Sequence, residues 1–315
     1  MRGDVASTAD HSGPVAVSGE SRLAVTVPIP ALLNPEAGGA AKARAALVSD
    51  ARFAMHELAP AAIIGAVREE IRRGTPRILV SGGDGTLCTV IGAAAGTALE
   101  IAIFPGGTLN HFARDFGLPI DDPATLLDIA AGGTPRPVNL GYVNGHPILN
   151  TSSVGVYVDF VRRREHLEHR MSYRPASVAA AIDVWRDPHA LDVELITADG
   201  AHRRLRTPLV FVGVQERILD RGGLGRRRAA GACALHILVV NAHERERIHA
   251  LALEAAARGI APLIAEKEID CYLTSSAVVT TSRATDTIAI DGELIASASP
   301  LRYEIVPSAA TVVHQ

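Results

Sequence analysis

One acidic residue held among glycines carries the strongest chemical signal in the sequence. Ser81-Gly82-Gly83-Asp84-Gly85-Thr86 lies between a strand-like run and a helical one. Glycines there let the backbone approach an anion closely, and a helix N-terminus adds unpaired N–H groups and a favourable dipole. A carboxylate in such a turn repels phosphate unless it works through Mg2+ or orients the phosphates of a donor. Asp84 is therefore a candidate catalytic residue and metal ligand. An Asp-Gly turn that only caps its helix would have the same letters.

Two further turns of this kind flank it. Pro105-Gly106-Gly107-Thr108-Leu109-Asn110 repeats the strand, glycine turn and helix one unit later, and Asn34-Pro35-Glu36-Ala37-Gly38-Gly39 follows the first strand. Adjacent units of a parallel sheet bring such turns to one carboxyl edge, where open α/β sheets bind ligands. Three anion-friendly turns on one edge describe a cleft for a nucleoside triphosphate, with Gly82, Gly83, Gly85, Thr86 and Gly107 among its candidate contacts. A GxxxxGK[ST] loop is absent, so this is not a P-loop site. Asp291-Gly292-Glu293, after Thr287–Ile290, spells an ordinary hairpin turn.

The elements that must position these turns alternate from about Leu23 to Ala131. Ile29–Leu33, Arg77–Val80 and Ile101–Phe104 are short aliphatic strands. Helices are predicted over Ala40–Ser49, Pro60–Arg73, Leu87–Ala95 and through Asp115. After Pro135 the rhythm turns antiparallel: Asn144-Gly145 and Asp199-Gly200 each sit between strand-like runs. Further strand-like stretches follow to Ile290, interrupted by helices near Ala176–Trp185 and Glu244–Arg258. The expected organisation is a tail over 1–21 without fixed structure, an α/β nucleotide-binding domain over 22–136 with a parallel sheet, and a β-rich substrate domain over 137–315. The second domain is expected to be an antiparallel β-sandwich, whose last strand is free to return to the first domain.

Composition narrows the function classes. The chain has 315 residues, 48% apolar, with a net charge of -3 and only 4% aromatics. That suits an aliphatic core and gives neither the field nor the stacking platform of a nucleic-acid binder. The three cysteines, Cys88, Cys233 and Cys271, are far apart and read as reduced thiols of a cytoplasmic protein. No apolar run reaches spanning length, so any membrane contact is expected to be peripheral, at the inner face. The basic clusters Arg162–Arg164 and Arg226–Arg228 read either as solvated surface or as attraction to anionic lipid. His166 and His169 read as a solvated face, and a homodimer stays open.

Read in order, Asn-Pro-x-x-Gly-Gly, Gly-Gly-Asp-Gly-Thr, Gly-Thr-Leu-Asn-His-Phe-Ala-Arg-Asp and the late Asp-Gly-Glu resemble the diacylglycerol kinase catalytic family, which includes bacterial lipid kinases and the sphingosine kinases. The resemblance implies a first domain like that of phosphofructokinases and NAD kinases, a C-terminal β-sandwich, and an active site between them. It implies an ATP- and Mg2+-dependent kinase acting on a lipid hydroxyl at a membrane surface. Asn34, Gly83, Asp84, Gly85, Thr86, Thr108 and Asn110 would line the nucleotide, and Glu293 would be the general base.

Some positions depart from the family pattern. His111 replaces a common Asp, Asn139 stands where Asp-Leu-Gly is usual, and Val214-Gln215 stands where Asn is common after Val-Gly. Ala230-Gly231-Ala232-Cys233-Ala234-Leu235 stands where the family has Leu-Asp-Asp-Gly-x-Leu, whose aspartates hold a structural Mg2+ in some members. That metal site is expected to be lost. The rival readings are a nucleotide- or lipid-binding regulator without turnover, motivated by that loss, and an NAD kinase, which shares only Gly-Gly-Asp-Gly-Thr.

Overall fold

The computed structural model describes residues 27–220, 225–228 and 230–315. The expected tail over 1–21 lies outside them.

Aliphatic runs bounded by glycine or proline make strands buried on both faces, as a helix-covered parallel sheet requires. They are β1 (Ile29–Leu33), β3 (Arg77–Gly82) and β4 (Glu100–Pro105), with the partly exposed β2 (Phe53–Glu57) beside β1 at the sheet edge. All pair in parallel, in the order β2-β1-β3-β4. Between them run α1 (Ala40–Val48), α2 (Pro60–Arg73) and α3 (Asp84–Ala94), followed by α4 (His111–Asp115) and α5 (Pro123–Gly132). Proline in the first turn starts α2, and Gly74 stops it in a left-handed conformation at φ 69°. Ile63 and Val67 of α2 are buried, with Val80, Ile103 and Phe104, in the first core.

The second half begins with β5 (Thr134–Val143), β6 (His146–Ile148) and β7 (Thr151–Gly155). A helical hairpin follows, α6 (Val156–Glu168) and α7 (Tyr173–Arg186). Next come β8 (Leu191–Thr197), β9 (His202–Thr207), β10 (Leu209–Val214), β11 (Leu235–Val240), α8 (Arg245–Arg258) and α9 (Ala261–Ala265). The described chain closes with β12 (Ile269–Thr274), β13 (Ser276–Thr281), β14 (Thr285–Ile290), β15 (Glu293–Ala298) and β16 (Leu301–His314). Six strands form an antiparallel sheet in the order β12-β11-β10-β7-β14-β15. Its inner face packs on β8, β13 and the start of β16 through Val212, Ile237, Val279, Ile288 and Tyr303, which is the core of a sandwich. This is the fold class that the sequence pattern predicts.

β16 joins the two halves. Its start pairs antiparallel with β13, its end pairs parallel with β4 at Thr311 and Val312, and β5 runs antiparallel beside nearly all of it. One ten-stranded sheet therefore passes from the first domain into the second.

Three details differ from the expectation. The turn at Ser81–Thr86 contracts, because β3 runs on through Gly82 and α3 starts at Asp84, leaving Gly83 as the junction. Over Val156–Glu168, where the sequence reading names no element, α6 forms, with Val158 and Val161 packed on Ala289 of β14. The Arg162–Arg164 cluster is not uniformly solvated either: Arg164 is 9% exposed and turns inward.

Candidate active site

The three glycine turns meet backbone to backbone. Gly39 N–H donates to the Gly106 carbonyl at 2.8 Å, and Gly106 N–H donates to the Gly82 carbonyl at 2.9 Å. A Cβ at Gly107 would lie 2.8 Å from the Gly83 Cα, so only glycine permits this contact. Such closeness puts the N–H groups of successive turns on one edge, as an anion-binding surface requires.

Side chains brace this edge. Asn34 donates from Nδ2 to Thr86 Oγ1 at 3.2 Å, while its Oδ1 accepts from Glu36 N–H at 2.9 Å. Asn110, at φ 50°, accepts from Gly107 N–H and donates to the Gly107 carbonyl, both at 2.8 Å. Asp84 accepts at both oxygens from the first N–H groups of α4, His111 at 3.0 Å and Phe112 at 3.1 Å. The carboxylate thus caps a helix, but the neighbouring one and not its own.

A cleft of about 560 Å³ opens between these turns and the second domain. Gly83, Asp84, Gly85, Gly107 and Thr108 line one wall, and Asp291, Gly292 and Glu293 the other. Asn34, Gly82, Thr86 and Asn110 stand behind this surface and hold it in shape. Asp291 and Gly292 are the two corner residues of the β14–β15 hairpin, at φ 49° and 88°, so the segment is the tight turn its letters spell. The turn also places Glu293 at the first position of β15, against Gly85 across the cleft.

The electrostatics favour a proton acceptor there. Glu293 opens to solvent on the cleft side, yet the protein around it raises its pKa above the ordinary value, with the charges of Asp291 and Glu165 adding to the effect. Asp291 is also raised, chiefly by its enclosure, against backbone N–H donors that favour the charged form. Those donors are Leu149 and Asn150 at 2.7 Å and Thr151 at 2.8 Å.

Several residues of this site carry no motif. Arg164 donates to the Gly292 carbonyl at 3.0 Å. Arg217 is 3% exposed, and burial together with its neighbour Arg227 lowers its pKa to about 10. Arg227 lies over the Phe112 ring, 5.1 Å from its centre, and its backbone N–H donates to Asp115 at 3.2 Å. Only positive φ at Gln215, just after β10, marks an unusual turn before Arg217. At Gly231–Ala234, Glu216 accepts from Ala232 N–H at 3.1 Å and pairs with Arg228 at 2.8 Å. Among the described residues no group of three or more His, Cys, Asp or Glu is placed to hold a metal. His166 and His169 are exposed.

On the glycine-turn wall, where the Asp84 carboxylate stands among backbone N–H groups, the donor set suits Mg2+ that arrives on phosphates, since this ion is usually held by one or two carboxylates and its substrate.

Comparison with known proteins fits this geometry. Residues 29–143 match the model of the diacylglycerol kinase catalytic domain. A diacylglycerol kinase of Mycobacterium tuberculosis is 32% identical over 123 residues, 36% of this chain and 40% of that protein. One from Bacillus subtilis is 34% identical over 92 residues, 29% of this chain and 30% of the relative. The chain thus spans two fifths or less of these relatives' length in the matched region. The fold likeness reaches further: a crystal structure of a diacylglycerol kinase from Bacillus anthracis, 19% identical, superposes with a TM-score of 0.62 over 91% of this chain and 97% of that one. Through residues 29–143 the chain is similar to the diacylglycerol kinase catalytic domain.

Proposed function

We propose that this protein is a lipid kinase, transferring the terminal phosphoryl group of ATP to a hydroxyl of a diacylglycerol-like lipid. The observation that carries the reading is Glu293, a carboxylate with raised pKa, brought by the β14–β15 turn against the glycine turn that holds Asp84. Phosphoryl transfer requires alignment, charge neutralisation and a group that takes the acceptor's proton. The glycine turns offer N–H groups to the donor phosphates, with Thr108 at the cleft surface. Glu293 accepts the proton of the lipid hydroxyl, and its raised pKa brings it nearer the working pH. Asp84 fixes α4, and hence the Gly106–Gly107 turn, while its carboxylate faces the cleft. Mg2+, when bound through Asp84 and the donor phosphates, would supply charge neutralisation.

Contact with the membrane is part of the proposal. No helix among the described residues is long and apolar enough to cross a bilayer. Val178, Ile182 and Trp185 form one stripe of α7 and are 62%, 49% and 40% exposed. Arg163, Arg170 and Arg174 lie exposed on the same hairpin, whose first helix contributes Tyr157 and Arg164 to the cleft. An apolar stripe with basic flanks suits reversible binding to an anionic surface.

The test is transfer from radiolabelled ATP onto a fractionated total lipid extract, with mass spectrometry of the product. Label in a lipid with wild type and none with Glu293→Gln is expected. Label that stays in ATP and free phosphate with both proteins would overturn the reading and leave a regulator without turnover.

A further inference from the structure

We propose that Arg217 and Arg227 are positioning residues for Glu293, acting through the peptide groups between Leu149 and Thr151 and through Asp291, and anchored on Asp115 across the cleft. The proposal deepens the lipid-kinase reading in its catalytic part, but its geometry stands alone.

The peptide unit joining Leu149 to Asn150 is gripped at both ends. Its carbonyl accepts from Arg227 Nη2, and its N–H donates to Asp291 Oδ1 at 2.7 Å. The next unit, joining Asn150 to Thr151, is held the same way. Its carbonyl accepts from Arg217 Nη2, and its N–H donates to the same Asp291 oxygen at 2.8 Å. A peptide group is a dipole with its negative end at oxygen. Two consecutive units therefore stand between guanidinium and carboxylate, each oriented so that both charges stabilise it. Asp291 N–H then donates to the Thr151 carbonyl at 2.8 Å, which fixes the hairpin corner two residues before Glu293.

The other end of the network is in the first domain. Arg217 Nη1 lies 3.6 Å from Asp115 Oδ2, at the end of α4, whose start is capped by Asp84. One connected set of hydrogen bonds and ion pairs thus runs from Asp84 along α4 to Asp115, through two arginines and two peptide units, to Asp291 beside Glu293.

Both arginines are expensive to bury. The Nε atoms of Arg217 and Arg227 have no partner, and the like charges lie near each other. Anchoring alone does not need charge here, because neutral donors could serve the carbonyls of Asn150, Val214 and Gly225 that Arg217 reaches. Two cations do meet the need of Asp291, an enclosed carboxylate whose charged form is favoured by its three N–H bonds and opposed by burial. The other titratable groups facing Asp291 are Cys88 from α3, Tyr157 from α6 and Glu293 on its own hairpin.

The test compares Arg217→Gln, Arg217→Lys and Arg227→Gln by thermal unfolding from about pH 4.5 to about pH 8, without substrate. Removing a cation raises the folded-state pKa of Asp291 further above its unfolded value. The folded variant then binds a proton that the unfolded chain has released, so stability relative to wild type falls as pH rises through that window. The Tm deficit of Arg217→Gln should be small at the acid end and grow towards neutrality, while that of Arg217→Lys should stay nearly flat. An equal, pH-independent deficit in both would overturn the proposal. Should Arg217→Gln fail to fold, Arg227→Gln, at a half-buried position, carries the same comparison.

The second readout is transfer to diacylglycerol in mixed micelles. Expected is a kcat roughly tenfold to a hundredfold lower in Arg217→Gln, with KM for ATP within about twofold of wild type. A raised KM at unchanged kcat would overturn the positioning role. Wild type inactive on every lipid tried would overturn the lipid-kinase reading and leave the unfolding result to decide this one.

Discussion

The carboxylate of Glu293 occupies the space that a side chain at Gly85 would need: a Cβ there would lie 1.9 Å from Glu293 Oε1. Gly85 belongs to α3, within the run that holds Asp84, and Glu293 opens β15 in the other domain. The glycine is a clearance as well as part of an anion-binding turn. Gly85→Ala should therefore cost at least about a hundredfold in transfer by displacing Glu293. Stability should hardly change, since alanine is the better helix former by up to about 1 kcal/mol. Steady-state kinetics beside a melting curve separate the two effects. Near-wild-type turnover would show that Glu293 does not need its observed place.

Asp84→Ala should remove two acceptors from the start of α4 and lower stability by about 1–2 kcal/mol while the fold survives. Transfer should fall by several orders of magnitude, since the residue would orient phosphates and their metal. Asp84→Asn, which can keep one cap, should recover much of the stability and little of the transfer. Turnover of either variant within about tenfold of wild type would sink the catalytic assignment.

The raised pKa of Glu293 has a defined sign in both activity and stability. The base must be ionised, so the acid limb of kcat/KM should lie above the ordinary glutamate range. For stability, a carboxylate raised in the folded state favours folding while protonated and opposes it as pH rises past its unfolded value. Glu293→Gln should then have a slightly higher Tm than wild type near neutral pH, with the gain vanishing in acid. A gain that grew on acidification would contradict the shift.

Vesicle binding should be weak, dependent on anionic lipid and reduced by salt. Val178→Glu with Ile182→Glu, both on the exposed stripe of α7, should abolish cosedimentation with anionic vesicles while transfer to a soluble short-chain acceptor stays near wild type. Equal sedimentation of the double variant and wild type would remove α7 from the membrane contact.

Mg2+ alone should raise the Tm very little, because Gly231 and Ala232 offer only backbone oxygens where aspartates would be needed. Mg2+ with ATP should give a large, saturable shift, since ligand bound only to the folded state stabilises it by mass action. A large shift from Mg2+ alone would locate another cation site in the molecule.

How much of this the sequence disclosed depends on whether a residue's role is local. β3 and β4 are aliphatic runs closed by glycine turns, and α2 has its proline start and glycine stop in its own letters. α6 went unread, because its place depends on Val158 and Val161 packing against Ala289 of the distant β14. Asn34 and Asn110 are legible as members of the site, while their work as braces depends on a hydroxyl 52 residues away and a left-handed backbone. Arg217 and Arg227 were illegible. A buried arginine and a solvated one share the same letter, and Asp115, which partners both, is 102 residues from Arg217 and 112 from Arg227 in the chain.

The strand that links both halves sets an order on the molecule's assembly. β16 is the last described strand to leave the ribosome, yet β4 of the first domain has no other partner on that side. Until β16 arrives, the nascent first domain carries an open sheet edge at Glu100 and Ile101, the residues that β16 pairs. Such an edge invites pairing with other chains. Protection of that edge during synthesis falls to whatever covers it transiently, and closure of the sheet comes in the same event that completes the sandwich carrying Glu293.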